Sequence, residues 1–177
     1  MISLYNIDSF ETKRMLANRL TESNFNELFL MFQNPKAMET LGGIRSIEQA
    51  KANLKWNLKQ WDDNGFGLWI FYDKSTNELI GRGGLRRVVI SDVEEVELGF
   101  ALLPEFWQQG YATEIAQACI KIAFEKIKVD NIVSYTLTTN LKSQRVMEKS
   151  GFTLEKNIEL HGEPHVLYRL NSDKYLS

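Results

Sequence analysis

The sequence is poor in the residue types that build disulfide frameworks, metal clusters and linkers. Its 177 residues include one cysteine, Cys119, so an internal disulfide framework and a thiolate metal cluster are both excluded. Cys119 lies in an apolar helical pattern, which favours a buried thiol over a reactive nucleophile. The chain has three prolines, no internal repeat and no Ser/Pro-rich linker. We therefore expect a single domain over residues 1–177.

The sequence also lacks long apolar runs and a strong excess of one charge. No apolar stretch approaches the roughly 20 residues of a transmembrane helix, and the first residues lack the basic-then-apolar pattern of a signal peptide. The net charge of −2 gives no reason to expect nucleic acid or a membrane as a partner. Hydrophobic residues make up 44% and charged residues 25%, as is ordinary for a globular protein. We expect a cytoplasmic protein.

Hydrophobic periodicity and capping residues divide the chain into strands and helices. Thr21 caps a first helix, which ends at Asn34-Pro35. Ser46 caps a longer helix, with Gln49 as its capping-box partner. Strands are predicted at residues 13–19, 67–72, 79–89, 94–102, 132–138, 153–160 and 166–170, and further helices at 113–126 and 141–149.

The order of these elements predicts the fold class. It is β-αα-βββ-α-β-α-ββ, in which a meander of three strands is followed by βα units. We expect an α/β domain with a mixed central sheet of about seven strands and helices on both faces.

A loop between the central strand and the next helix has the features of an anion site. The apolar strand stops at Pro104, and a short loop with Gly110 at its tip opens into the helical pattern from Thr113. Backbone N–H groups at a helix N-terminus are unpaired, and the helix dipole adds partial positive charge there. Gly110 has no Cβ to hold a ligand away from these amides. The segment suits a phosphate or pyrophosphate, although many ordinary strand-to-helix turns also carry one glycine.

The same loop resembles a known cofactor signature. Residues 107–112, Trp-Gln-Gln-Gly-Tyr-Ala, resemble the (Gln/Arg)-x-x-Gly-x-(Gly/Ala) signature with which GNAT acetyltransferases bind acyl-CoA. Trp107 is usual in the RimJ/RimL-like branch, which resembles ribosomal-protein N-terminal alanine acetyltransferases, whereas Gln108 stands where that branch has glycine. The element order is also that of GNAT folds, so the resemblance implies the GNAT acyl-CoA N-acyltransferase fold. It further implies that the protein uses acetyl-CoA and needs no metal. The residues implied to bind acetyl-CoA here are Gln108, Gln109, Gly110, Tyr111, Ala112 and Thr113.

A second motif follows the strand at residues 132–138. Asn140 caps the next helix and Gly151 stops it. The segment from Asn140 to Phe152 resembles the Asn-x-x-Ser-x-(Arg)-Val-x-x-Lys-x-Gly-Phe signature of the same branch. The resemblance implies that Asn140 holds the pantetheine arm of acetyl-CoA and that Ser143 lies near the leaving thiolate. The alternative is that Asn140 is only a cap and Ser143 only a first-turn helix residue.

The resemblance also suggests which groups act in catalysis. The strand end from Gly99 resembles the splayed GNAT strand whose backbone amides bind pantetheine, so Phe100 and Leu102 are expected to act through their main chains. Many GNAT enzymes have a tyrosine at the position of Met147, as the acid that protonates the thiolate. A methionine cannot donate a proton, which leaves Ser143 or a water molecule as the acid.

Glu97 is the candidate catalytic residue on the acceptor side. It serves either as a base through a water molecule or as a site for the acceptor's ammonium group. Alternatively, its charge is solvated or is paired with Arg82, Arg86 or Arg87. Acidic residues here favour a cationic amine, and an α-amine, with a pKa of about 8 against about 10.4 for lysine, is the easier acceptor. Trp56 lies off the apolar stripe of the long helix, and it lines the acceptor pocket, forms a dimer contact or is merely exposed.

These features predict an acetyl-CoA-dependent N-acetyltransferase. It would act on a primary amine, either a protein or peptide N-terminus or a small amine, by direct attack in a ternary complex. The alternative is a non-catalytic CoA-binding regulatory module with the same fold. A nucleotide-phosphate binder is disfavoured because no Gly-Lys-(Ser/Thr) follows the loop. A homodimer is compatible with the sequence.

Overall fold

A mixed eight-stranded sheet forms the centre of the structure, a computed structural model that describes residues 5–177. Residues 1–4, on which the signal-peptide expectation partly rests, lie outside the described residues. The strands are β1 (Ser9–Glu11), β2 (Met15–Arg19), β3 (Leu68–Asp73), β4 (Leu79–Ile90), β5 (Val93–Leu102), β6 (Asn131–Leu137), β7 (Thr153–Leu160) and β8 (Glu163–Asn171). Their spatial order is β1-β2-β3-β4-β5-β6-β8-β7.

The helices lie between these strands and after the last one. They are α1 (Phe25–Phe32), α2 (Pro35–Met38), α3 (Ile47–Asn64), α4 (Tyr111–Lys121), α5 (Leu141–Lys149) and α6 (Ser172–Leu176). Helix α4 starts two residues before the predicted boundary and continues as a π-helical segment, Ile122–Ile127. Over residues 5–177, no helix has both the length and the apolar character needed to cross a bilayer.

The predicted α/β fold class is confirmed, but the predicted strand number is not. The sheet has eight strands instead of about seven, because β1 pairs antiparallel with β2 at the sheet edge. Its three residues are too few to show an alternating pattern in the sequence. The predicted α5 and β7 boundaries are confirmed.

Local capping explains where the long helix α3 begins and ends. The Ser46 hydroxyl accepts a hydrogen bond from the Gln49 amide at 3.2 Å, and the Gln49 side chain accepts one from the Ser46 amide at 2.8 Å. This reciprocal pair confirms the predicted capping box. Gly65 ends the helix with a φ of +73°, a conformation that favours glycine.

Two apolar layers hold the helices on opposite faces of the sheet. On one face, Phe32 and Leu54 from α1 and α3 pack on Leu68 and Ile70 of β3. On the other face, α4 packs against β4 and β5, and α5 packs against α4 and β6. Cys119 of α4 is fully buried there, and burial raises the pKa of its thiol to about 12. The expectation of a buried core thiol is therefore confirmed.

Candidate functional site

Strands β5 and β6 run parallel, and in the described part of the chain a single ladder pair joins them. Their ladder pair is Glu97 with Val133, next to which the Ser134 hydroxyl donates to the Leu98 carbonyl at 2.8 Å. No later pair joins the two strands in the described part of the chain, although β5 stays paired to β4 as far as Leu102. The main chain of β5 beyond Leu98 therefore faces a gap on the β6 side.

The gap makes the main chain of β5 available where the sequence predicts cofactor contacts. Phe100 packs against the core and Leu102 is buried within it, so their side chains belong to the apolar layer. The carbonyl of Leu102 accepts a hydrogen bond from the Trp107 indole at 2.9 Å. This contact ties the strand end to the following loop. The site therefore joins an open strand edge to the N-terminus of α4.

The loop before α4 has the conformation of an anion site. Gly110 has a φ of +81°, and its carbonyl accepts the first helical hydrogen bond, from the Glu114 amide at 3.1 Å. The amides of Tyr111, Ala112 and Thr113 precede that bond, so they have no helical acceptor. Free amides and the positive end of a helix dipole are the features that favour an anion at a helix N-terminus.

The two glutamines of the loop are notable for different reasons, Gln108 for its backbone conformation and Gln109 for its side-chain contact. Gln108 is in the left-handed region with a φ of +60°, which explains why glycine suits this position. The Gln109 side chain donates to the Glu105 carbonyl at 2.7 Å. Two ammonium groups lie near the loop, with Lys142 Nζ 5.0 Å and Lys36 Nζ 5.6 Å from the centre of the Trp107 ring. These two lysines were not identified from the sequence, and they add positive charge beside the loop.

A distant residue, Arg14, holds this loop in place. Its Nη1 donates to the Gln109 carbonyl at 2.8 Å, and its Nε donates to the Glu114 carboxylate at 2.8 Å. Its guanidinium carbon also lies 3.9 Å from the centre of the Tyr111 ring. Sequence reasoning missed Arg14, because nothing local to it indicates a contact about 95 residues away.

The Tyr111 side chain has a structural role in the loop. Its hydroxyl donates to the Asp73 carboxylate at 3.0 Å, and the residue is 8% exposed. Hydrogen bonds from Ser75, and then from Tyr111, lower the pKa of Asp73 to about 2. Because the ring is engaged with Asp73 and Arg14, the group that Tyr111 presents to the loop is its main-chain amide.

Asn140 joins the second motif to the opposite side of the gap. Its side-chain oxygen accepts from the Ser143 amide at 3.3 Å, so the predicted cap is present. Its amide nitrogen donates to Thr136 at 3.0 Å and to Thr40 at 3.2 Å. Thr40 follows α2 and was not identified from the sequence. Asn140 is thus both a helix cap and a contact between α5 and the α2–α3 connection.

The remaining residues of α5 differ sharply in exposure. Ser143 is half-buried in the first helical turn, and its hydroxyl has no hydrogen-bond partner within residues 5–177. Met147 is 2% exposed and packs in the core. The side chain at the position of the usual acid is therefore apolar and turned away from solvent, whereas the Ser143 hydroxyl is free to bind.

Glu97 lies where β5 and β6 separate, and it is paired with an arginine. Its Oε2 is 2.7 Å from Arg86 Nη2, and the two side chains are 6% and 16% exposed. The pair lies over Gly99, where a Cβ would approach Arg86 Nη2 to 3.0 Å and Glu97 Oε1 to 3.2 Å. Of the alternatives raised by the sequence, the arginine pair is the one that the geometry shows. Burial, and then the charge of Glu97, raise the pKa of nearby Tyr135.

Two further arginines lie close to Arg86. The guanidinium carbons of Arg45 and Arg82 are 4.6 and 5.2 Å from the centre of the Phe32 ring. Arg82 is 7% exposed and donates to Asn53 of α3 at 3.2 Å. Burial, followed by repulsion from Arg86 and Arg45, lowers the pKa of Arg82 to about 9, so it stays protonated at neutral pH. We call Arg45, Arg82 and Arg86 the arginine cluster.

Comparison with known proteins identifies a family and several relatives for this chain. The family described as Acetyltransferase (GNAT) domain matches residues 14–153. The uncharacterized protein YkkB of Bacillus subtilis is 29% identical over 143 residues, which cover 81% of this chain and 83% of YkkB. An acetyltransferase from Agrobacterium tumefaciens has a TM-score of 0.81 at 26% identity, covering 93% of this chain and 95% of that one. A ribosomal-protein-S5-alanine acetyltransferase from Vibrio fischeri shares the fold, with a TM-score of 0.76 at 19% identity. The match covers 93% of this chain and 97% of that one.

Proposed function

The chain belongs to the GNAT acetyltransferase family, and from this premise we propose that it transfers the acetyl group of acetyl-CoA to a primary amine by direct attack in a ternary complex. The observation that carries the proposal is the separation of β5 and β6 beside the N-terminus of α4. This arrangement places unpaired main-chain donors along one continuous gap.

The residues around the gap fit acetyl-CoA. The amides of Tyr111, Ala112 and Thr113 are donors for its pyrophosphate, and Gly110 leaves room for that group because it has no Cβ. Asn140 holds the pantetheine arm, and the main chain at Phe100 and Leu102 receives the amide groups of the arm and the thioester carbonyl. When bound, acetyl-CoA supplies an activated acyl group, which an unprotonated amine can attack without further activation.

Two side chains handle protons and charge in this proposal. Glu97 uses Oε2 to pair with Arg86, and its Oε1, which lies over Gly99, receives the ammonium group of the acceptor or its proton through water. Ser143, or a water molecule that it holds, is the proton donor for the departing thiolate, because the buried Met147 has no proton to give. Placing amine and thioester within about 3.5 Å of each other is the remaining requirement.

A calorimetric titration with acetyl-CoA tests the cofactor site. Gly110→Glu places a carboxylate among the amides of α4, and it should weaken binding by at least about 100-fold, since two anionic groups would compete for one site. Gly162→Glu is the matched control, because Gly162 has a similar φ of +76° and open space around it. Equal acetyl-CoA affinity in the two variants would remove the phosphate-loop assignment.

The non-catalytic alternative is favoured by one observation, the apolar Met147 at the usual acid position. It predicts that acetyl-CoA binds and that no amine releases the CoA thiol. The transferase proposal predicts thiol release with at least one amine from a panel of amino acids, peptides and polyamines. The combination of binding and no release across that panel would support the regulatory module instead.

The proposal also includes the location of the protein, its domain organisation and its partners. We place the protein in the cytoplasm as a single domain over residues 1–177, acting on soluble amines and not on nucleic acid or membranes. Trp56 is 42% exposed, and its ring lies 5.3 Å from the Arg86 guanidinium, which favours a place beside the acceptor pocket over a dimer contact. Light scattering of the purified protein distinguishes a monomer from the homodimer.

A further inference from the structure

The arginine cluster carries more positive charge than its surroundings balance. Arg86 pairs with Glu97, but over residues 5–177 neither Arg45 nor Arg82 forms an ion pair with a carboxylate. Among the described residues, the three guanidiniums thus have one ion-paired carboxylate between them, that of Glu97. Burying an unbalanced charge is unfavourable for folding, so such charges are normally paired or serve a ligand.

The polar atoms of the cluster are also incompletely used. Arg86 Nε is buried and has no hydrogen-bond partner among residues 5–177, and the Arg82 side chain donates to the neutral amide oxygen of Asn53. Arg45 stacks on Phe32 and is half-buried, so its guanidinium stays within reach of solvent. A buried N–H without a partner loses its hydration and gains nothing in return. The cluster therefore has donors and charge to offer to an anion.

The position of the cluster relates it to the acetyl-transfer site. Arg86 and Arg82 are on β4, opposite Glu97 and Ala101 of β5, so their side chains share one face of the sheet. Glu97 itself lies where β5 and β6 separate. An acceptor amine at Glu97 would thus have guanidinium groups a short distance away, starting with Arg86 at 2.7 Å from the carboxylate.

We propose that the arginine cluster binds a carboxylate of the acceptor, so that the acceptor is a free amino acid or a similar small molecule with amine and carboxylate close together. The proposal rests on the acetyl transfer proposed above and names its acceptor class. Guanidinium forks match carboxylate oxygens in geometry as well as charge. A polyamine or a lysine side chain would meet unfavourable charge here. The N-terminus of a protein has an amide in place of the carboxylate, so it would leave the cluster unpaired.

The test compares acceptors that differ only in the anionic group. Release of the CoA thiol from acetyl-CoA is measured with the protein of residues 1–177 and a panel of free L-amino acids, each paired with its own carboxamide. We expect kcat/KM for the preferred amino acid to exceed that of its carboxamide by about 10- to 100-fold, the factor for hydrogen bonds to a charged group. Polyamines and peptides should be poor acceptors.

Variants then assign the preference to the cluster. Arg82→Met should reduce the ratio of amino acid to carboxamide toward one, without lowering the melting temperature, because it removes an unbalanced buried charge. Arg82→Lys keeps the charge and should restore part of the ratio. Arg87→Met is the matched control on the same strand, because Arg87 is exposed and on the opposite face; it should keep the wild-type ratio. A purely structural role for Arg82 would lower the melting temperature and leave the ratio unchanged.

The possible failures are distinguishable. Turnover of a peptide or polyamine with no preference for a carboxylate would refute the anion site and leave the transferase proposal standing. If no amine releases thiol although acetyl-CoA binds, the transferase proposal fails. The anion site is then judged by thermal shifts with N-acetyl amino acids and their carboxamides. Equal shifts for the two series, or shifts that Arg82→Met does not change, would refute it.

Discussion

Replacing Glu97 with glutamine removes the carboxylate that pairs with the arginine cluster and keeps the shape of the side chain. In the wild type, Glu97 Oε2 and Arg86 Nη2 are 2.7 Å apart, with the two side chains 6% and 16% exposed. Water therefore screens this pair weakly. After the substitution, the largely buried guanidiniums of Arg82 and Arg86 and the half-buried one of Arg45 have no ion-paired carboxylate among residues 5–177.

The expected loss of stability follows from the burial of the ion pair and from the hydrogen bond that glutamine can still accept. Removing one partner of a buried ion pair destabilises a protein by about 3–5 kcal/mol. Glutamine can still accept one hydrogen bond from Arg86, so we expect about 3 kcal/mol. For a chain of this length, 1 kcal/mol corresponds to a shift of about 2–4 °C, so the melting temperature should fall by about 6–12 °C. Arg86→Met should destabilise less, because it lowers the positive charge and leaves Arg82 near Glu97.

Urea unfolding and thermal melting of matched variants provide the assay. Glu94→Gln is the control, because Glu94 is exposed on the same strand and makes no ion pair within the described residues. The double variant with Arg86→Met and Glu97→Gln should lose less free energy of unfolding than the sum of the single changes, with a coupling of at least about 1 kcal/mol. The acceptor KM should rise or kcat fall in Glu97→Gln, while the acetyl-CoA affinity stays nearly constant.

Two results would refute this reasoning. If Glu97→Gln and Glu94→Gln have the same free energy of unfolding within about 0.5 kcal/mol, the ion pair does not balance the cluster. If the kinetics of a folded Glu97→Gln variant match the wild type from pH 6 to pH 9, Glu97 is neither a base nor a site for the ammonium group.

The other predictions concern the thiolate and the phosphate loop. Ser143→Ala should lower kcat by roughly 100-fold or more with little change in acetyl-CoA affinity, if its hydroxyl protonates the thiolate; a wild-type rate would return Ser143 to a structural role. Burial alone would raise the pKa of Glu114, but hydrogen bonds from Thr12 and Arg14 lower it below 4.5. Its stabilising contribution should therefore be complete above pH 4.5 and lost as the pH falls through the lowered pKa. Glu114→Gln should lower the free energy of unfolding by about 1 kcal/mol at pH 7 and by less at pH 3, as measured by urea unfolding. An equal loss at both pH values would contradict this prediction.

Most of the fold was predictable because the signals that determine it are local. The Ser46 cap pairs with a residue three positions away, and α5 is bounded by Asn140 and Gly151, so the short-range rules for helix ends apply directly. The long strands show alternation over enough residues to be recognised. Strand β1 was missed, because three edge residues carry no pattern and are ordered by pairing with β2.

The main-chain part of the candidate site was predictable for the same reason. A glycine before an apolar helical pattern predicts a left-handed residue and free amides, and Gly110 has that conformation. Asn140 caps its helix as its residue type and position predict. What Phe100, Leu102 and Ser143 contribute to catalysis stays a prediction that the variants above address.

Only the tertiary structure decided which side chains meet across the site. The pairing of β4 with β5 brings Arg86 opposite Glu97, and a shift of one residue would have put the arginine on the other face of the sheet. Arg14 reaches the loop from about 95 residues away, and Arg45 meets Arg82 around Phe32 because α1 and α3 pack on that face. Capping and periodicity act over a few residues, so they determine helices, strands and the free amides at the start of α4 from the sequence. Contacts between distant side chains depend on how the whole core packs, and the sequence by itself does not contain that information in local form.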